Sequence, residues 1–148
     1  MKYIILLLTL LLISCNQNST HKNDDVVSAA EITDSAKCNN CGKNLIKYIS
    51  TNYTVKTNGD GVHHFCSMNC LVKDFGNAKI DTNSIYVIDV KSKEFIPAKD
   101  AYYVVRSGSN GITAYAYKEF EYAKRFNKDF NGWGVISFNK TLKTIKDN

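Results

Sequence analysis

Residues 53–75 read YTVKTNGDGVHHFCSMNCLVKDF, and the hydrophobic period changes partway through. Tyr53 to Thr57 and Val62 to Phe65 are short runs of β-branched and aromatic residues, and Asn58-Gly59-Asp60-Gly61 between them has turn chemistry, so a hairpin is expected. From Ser67 to Phe75 the period becomes helical. Ser67 stands at the N-cap position, and Met68, Leu71, Val72 and Phe75 share one face. Ser84 to Val90 returns to strand, which completes a strand-strand-helix-strand unit.

The same order recurs further along the chain. Ala101 to Arg106 and Ile112 to Tyr117 read as a strand pair around Ser107-Gly108-Ser109-Asn110-Gly111. Lys118 to Asn131 reads as a helix with Phe120, Ala123, Phe126 and Phe130 inward. Its first turn carries Glu119 and Glu121 and its end carries Lys124, Arg125 and Lys128, as the helix dipole favours. Gly132 stops it, and Trp133 to Phe138 reads as a closing strand. A further strand is expected at Leu45 to Ile49. The expectation is an α+β fold built of two consecutive strand-strand-helix-strand units, although no sequence identity between the halves is visible.

Upstream of these units the chain changes character. Met1 and Lys2 lead into an apolar run from Tyr3 to Ile13, too short for the roughly 20 residues of a membrane span, so residues 1–14 read as an export signal. The run ends in Leu12-Ile13-Ser14-Cys15, which is similar to the lipobox of bacterial lipoproteins, with Cys15 as the acylated mature N-terminus. Asn16, in place of an inner-membrane retention Asp, leans towards an outer-membrane anchor facing the periplasm. Residues 15–36 are polar and aperiodic, including His21, and read as a flexible stalk. The folded domain is expected at residues 37–142, with 143–148 as a tail.

The 148 residues carry 19 Lys and Arg against 14 Asp and Glu, a formal charge of +5, with 44% hydrophobic and 22% charged residues. This is an ordinary globular composition for one domain or two closely packed halves. The small, dispersed excess charge and the export signal argue against a nucleic-acid partner.

Four cysteines remain within the folded region, as Cys38-Asn39-Asn40-Cys41-Gly42 and Cys66-Ser67-Met68-Asn69-Cys70. The first pair, with its trailing glycine, has the form of a metal-binding knuckle. The second spans a strand end and the first turn of a helix, where the dipole favours thiolate. Metal binding explains the paired pairs best. Two disulfides or a redox couple are the alternatives, the former suited to an oxidising compartment but of little stabilising value across so small a loop. Met68 offers a thioether that would suit Cu(I), four thiolates would suit Zn²⁺, and Met68 reads equally well as a core side chain beside Leu71 and Val72. His63 and His64 alternate on a strand, so at most one can face the cysteines.

These residues resemble the NosL family, copper-binding lipoproteins accessory to nitrous oxide reductase. Lys37-Cys38-Asn39-Asn40-Cys41-Gly42 is similar to the family's C-x-x-C-G-M opening, and Phe65 to Phe75 to its central helix start. Tyr86-Val87-Ile88-Asp89-Val90 through Phe95-Ile96-Pro97-Ala98 to Ala101-Tyr102-Tyr103-Val104-Val105 is similar to its Y-V-x-D, W-I-x-A and A-Y-Y-V stretch. The resemblance implies a fold of two related units like the noncatalytic part of organomercurial lyase. It also implies a role without catalysis, in which Cu(I) is bound and delivered to nitrous oxide reductase or another copper-enzyme client. The resemblance carries over Cys41 as a ligand-type Cys, and the expected ligands are Cys41 and Cys38, then Cys66 and Cys70, with Met68 optional. Two departures stand out: Lys43 replaces the Met after C-G, and Ser107 to Thr113 lacks the family's second Met. A structural Zn²⁺ module with four Cys ligands and a thiol-disulfide oxidoreductase are the rival readings.

Overall fold

The computed structural model describes residues 32–57, 59, 61–76, 81–108 and 111–148. The export signal, Cys15, the stalk up to residue 31 with His21, and the turn residues Asn58, Asp60, Ser109 and Asn110 lie outside them.

The first unit opens with β1 (Tyr53–Thr57) and β2 (Gly61–Phe65), an antiparallel hairpin in which Tyr53 pairs with Phe65 and Thr57 with Gly61. Gly61 has φ of +85°, a left-handed conformation that an L side chain rarely adopts, and this is the role its position in the turn requires. Helix α1 (Met68–Phe75) follows, and the Ser67 hydroxyl accepts from the Cys70 backbone N–H as the expected N-cap. β3 (Ile85–Ile88) then returns to pair antiparallel with β1, with Tyr53 opposite Val87. A short strand absent from the sequence reading, β4 (Phe95–Pro97), extends the sheet to the order β2-β1-β3-β4.

The second unit repeats this plan. β5 (Tyr102–Gly108) and β6 (Gly111–Tyr117) form a hairpin, α2 (Phe120–Asp129) crosses over, and β7 (Val135–Ile136) pairs with β5. The order β6-β5-β7 matches β2-β1-β3 in the first sheet. The pseudo-repeat expected from the pattern is therefore present in the topology.

Alternation along β5 explains how the layers stack. Tyr103 and Val105 enter the main core with Tyr53, Val55, Phe65, Leu71, Ile85 and Val87 of the first unit. Val104 points the other way, into a small second core with Tyr117, Ala123 and the partly buried Phe126 beneath α2. The two sheets also meet through a parallel bridge between Asp89 and Ala116, where the Val90 N–H donates to the Ala116 carbonyl.

The structure corrects five expectations. Phe120 and Phe130, expected inward, are exposed, and only Ala123 of α2 is buried. Leu45–Thr51 is a 3-10 segment and not a strand: the Asn44 side chain accepts from the Ile46 N–H, and only Leu45 is buried while Ile46 and Tyr48 are exposed. The closing strand shrinks to Val135–Ile136 because Phe138 begins a third helix, α3 (Phe138–Lys146). That helix buries Phe138, Thr141 and Ile145, so the packed chain runs past residue 142 and residues 143–146 are not a tail. At the other end Ile32 is buried and Ala36 packs on the core, so residues 32–36 belong to the domain and not to the stalk.

Candidate metal centre

The first cysteine pair sits on a backbone loop tied to itself at several points. The Cys38 N–H donates to the Lys43 carbonyl, Gly42 N–H to the Cys38 carbonyl and Leu45 N–H to the Ala36 carbonyl. Gly42 adopts φ of +70°, which lets the chain turn within the knuckle. The loop is then stitched to β2: Asn39 N–H donates to the His64 carbonyl, and His64 N–H donates to the Asn39 side-chain oxygen at 2.7 Å. This brings the knuckle against the end of β2, where Cys66 lies, and the start of α1, where Cys70 lies.

As a result, the sulfurs of Cys38, Cys41, Cys66 and Cys70 all fall within 4.8 Å of one another. Cys66 Sγ is 3.6 Å from both Cys41 Sγ and Cys70 Sγ. A tetrahedral ion held by four thiolates at about 2.3 Å would set its sulfurs about 3.8 Å apart, so the quartet fits one soft ion with little rearrangement. All four are free thiols. No histidine or carboxylate among the described residues completes another such group or joins this one.

The histidines before Cys66 have other tasks. His63 Nδ1 lies 3.4 Å from the Asn39 amide, and His64 Nδ1 lies 2.9 Å from the Thr54 hydroxyl. The His63 ring therefore contacts the knuckle, whereas the His64 ring ties β2 to β1. Met68 is 2% exposed and packed in the main core, so its place is that of a core side chain.

The four thiols are unequal. Cys38 and Cys66 are buried, Cys70 is intermediate and Cys41 is exposed. Burial opposes ionisation of Cys41, but the Lys43 backbone N–H and hydrogen bonds from the Cys38, Cys66 and Cys70 thiols outweigh it and bring its pKa down to about 7. Burial pushes the Cys66 thiol well up, reinforced by its hydrogen bonds to Cys70 and Cys41, and burial also raises Cys70. Cys41 is thereby poised to ionise near neutral pH. Its alkylation by iodoacetamide should rise steeply between pH 6 and pH 8, as the thiolate fraction goes from about 10% to about 90%. Mass mapping of the first modified residue at each pH checks this; equal labelling of all four cysteines would contradict it.

Beside the cluster an open cavity of about 580 Å³ is lined by Cys41, Cys66 and Cys70, by Lys43, Lys47 and Tyr48 of the knuckle and 3-10 segment, and by Asn69 and Lys73 of α1. Ile112, Thr113 and Tyr115 of β6 close it from the second unit, and the Asn69 side-chain amide donates to the Ile112 carbonyl at 2.7 Å. Lys43, and Ile112 within the Ser107 to Thr113 stretch that lacks the second Met, thus line the same cavity. The Lys43 ammonium stands 5.5 Å from the centre of the Tyr48 ring. The sequence reading missed this basic wall, because its lysines come from separate segments that only the fold unites.

Comparison with known proteins agrees with the fold. The NosL family model matches residues 29–144. The crystal structure of the copper chaperone NosL from Shewanella denitrificans superposes with a TM-score of 0.57 at 20% identity, covering 73% of this chain and 90% of that one. No curated protein sequence matches the chain at a significant level.

Proposed function

We propose that this chain, which belongs to the NosL family, is a lipid-anchored carrier that binds Cu(I) and hands it to a copper enzyme, nitrous oxide reductase being the client the family resemblance implies. The observation that carries the reading is the four-thiol cluster placed at the wall of an open cavity. A carrier must hold a soft ion yet release it to another ligand set. Thiolates select Cu(I), which accepts low coordination numbers, so one thiolate can leave while an incoming one arrives. Buried Cys38 and Cys66 are suited to retaining the ion, and exposed Cys41 to the exchange. Anchored through Cys15, the protein would work in the cell envelope, at the outer membrane facing the periplasm.

The same four sulfurs would also hold Zn²⁺, and their near-tetrahedral spacing is the specific observation in favour of a structural zinc module. The oxidoreductase reading has less support: the first Cys of the Cys-x-x-Cys pair, the one expected to attack substrate, is the buried one. Competition separates the three. The reduced full chain in neutral detergent, supplied with both metals, is expected to take up about one Cu(I), exclude Zn²⁺, and yield the copper to a thiol acceptor. A Zn²⁺ ion that Cu(I) cannot displace would replace the carrier with a structural zinc module. Turnover of a model disulfide by the metal-free protein would favour the oxidoreductase.

A further inference from the structure

Three lysines, Lys43, Lys47 and Lys73, line the cavity that exposes the thiols, and no aspartate or glutamate does so among the described residues. They come from three places: Lys43 follows the knuckle, Lys47 lies in the 3-10 segment and Lys73 is on α1. All three are exposed, and none forms an ion pair with another described residue. The rest of the wall is mostly polar or aromatic, including Asn40, Asn69, Tyr48 and Tyr115, with Ile49 and Ile112 as its aliphatic members. A concave surface with one sign of charge concentrates ligands of the opposite sign and raises their encounter rate by about 10-fold to 1,000-fold.

We propose that this lysine-lined cavity is the docking site for a protein partner that presents its own metal ligands among acidic side chains. The inference rests on the carrier reading and names the kind of partner that reading requires. The lysines share their cavity with Cys41, the exposed thiol, so a carboxylate-bearing segment drawn to them enters the space where ligand exchange begins. Exposed charge pairs of this kind contribute little to final affinity but strongly to encounter rate and orientation, which suits a transient handover. Bound Cu(I) on several thiolates leaves net negative charge at the centre, and the lysines also offset the repulsion that an acidic partner would otherwise meet.

The test uses the full chain in neutral detergent and two short peptides. Each contains a Cys-x-x-Cys pair, flanked in one by aspartates and in the other by serines. Docking is read from amide shifts on titrating versions of the peptides with Ser in place of Cys, and handover from stopped-flow transfer of Cu(I) to the thiol versions. The aspartate peptide should shift residues around the cavity and accept copper at least about 10-fold faster than the serine peptide at low salt. Both advantages should vanish in high salt and in the Lys43→Gln/Lys47→Gln/Lys73→Gln variant, and persist in the corresponding Lys→Arg variant. Lys43→Glu/Lys73→Glu should reverse the preference, making the serine peptide the faster acceptor at low salt. Equal shifts and equal rates for the aspartate and serine peptides would overturn the docking site. So would a salt-sensitive affinity confined to anionic phospholipid vesicles, which would assign the lysines to a membrane surface. Docking of the aspartate peptide with no copper transfer to either thiol peptide would leave the surface intact and remove the carrier reading beneath it.

Discussion

Protein carrying Cys38→Ser and Cys41→Ser together is expected to lose affinity for Cu(I) and Zn²⁺ by several orders of magnitude, measured by competition with a chromophoric chelator. Serine preserves the shape of each side chain, but its hydroxyl is neutral at neutral pH and hard, whereas both ions draw their affinity in this site from soft anionic sulfur. Two of the four sulfurs that converge within 4.8 Å would be gone. The loss should not be one of folding, because the knuckle is held by backbone bonds such as Gly42 N–H to the Cys38 carbonyl, which the substitution leaves in place. A thermal melt of the metal-free variant close to that of the metal-free parent checks this point. Met68→Leu serves as the control: it is a volume-conserving change at a core position and should leave metal affinity unaltered. Unchanged metal content in the double Ser variant would mean that the first pair is not a ligand pair and would point to disulfide formation instead.

Cys15→Ala should shift the protein from the membrane fraction to the soluble fraction and abolish incorporation of labelled palmitate. The effect is large because acyl chains contribute about 0.8 kcal/mol per buried CH₂, and two or three chains hold a protein where one does not. Among the described residues no helix is long and apolar enough to cross a membrane. Equal labelling of parent and variant would remove the anchor from the proposal and leave the metal centre untouched, since the two lie in separate parts of the chain. Retention in the membrane without labelling would assign the attachment to an uncleaved leader.

The hairpins and α1 were legible because their information is local. A turn of Gly and Asn between β-branched runs, or a serine followed by apolar residues at helical spacing, states its structure within a dozen positions. Leu45 to Ile49 and Phe138 to Lys146 carry equally apolar residues, yet their local preference is ambiguous. The first becomes helical because Asn44 caps it and only Leu45 finds a core. The second becomes helical because Phe138, Thr141 and Ile145 meet α1 and β5 across the chain. Short strands such as Phe95–Pro97 exist only through pairing, here with Tyr86 to Ile88.

The sequence by itself determined the α+β order, its doubling and the chemical type of the site, because periodicity and the count of thiols do not depend on distant neighbours. Tertiary structure decided that the two cysteine pairs form one site. Their 25-residue separation from Cys41 to Cys66 is closed only when the Asn39 to His64 bonds lay the knuckle on β2. It also decided that Met68 belongs to the core, that Cys41 alone of the four clustered cysteines is exposed, and that three lysines share its cavity. Burial, sulfur separation and electrostatic field each depend on every element that surrounds a group, and no window of sequence contains those elements together.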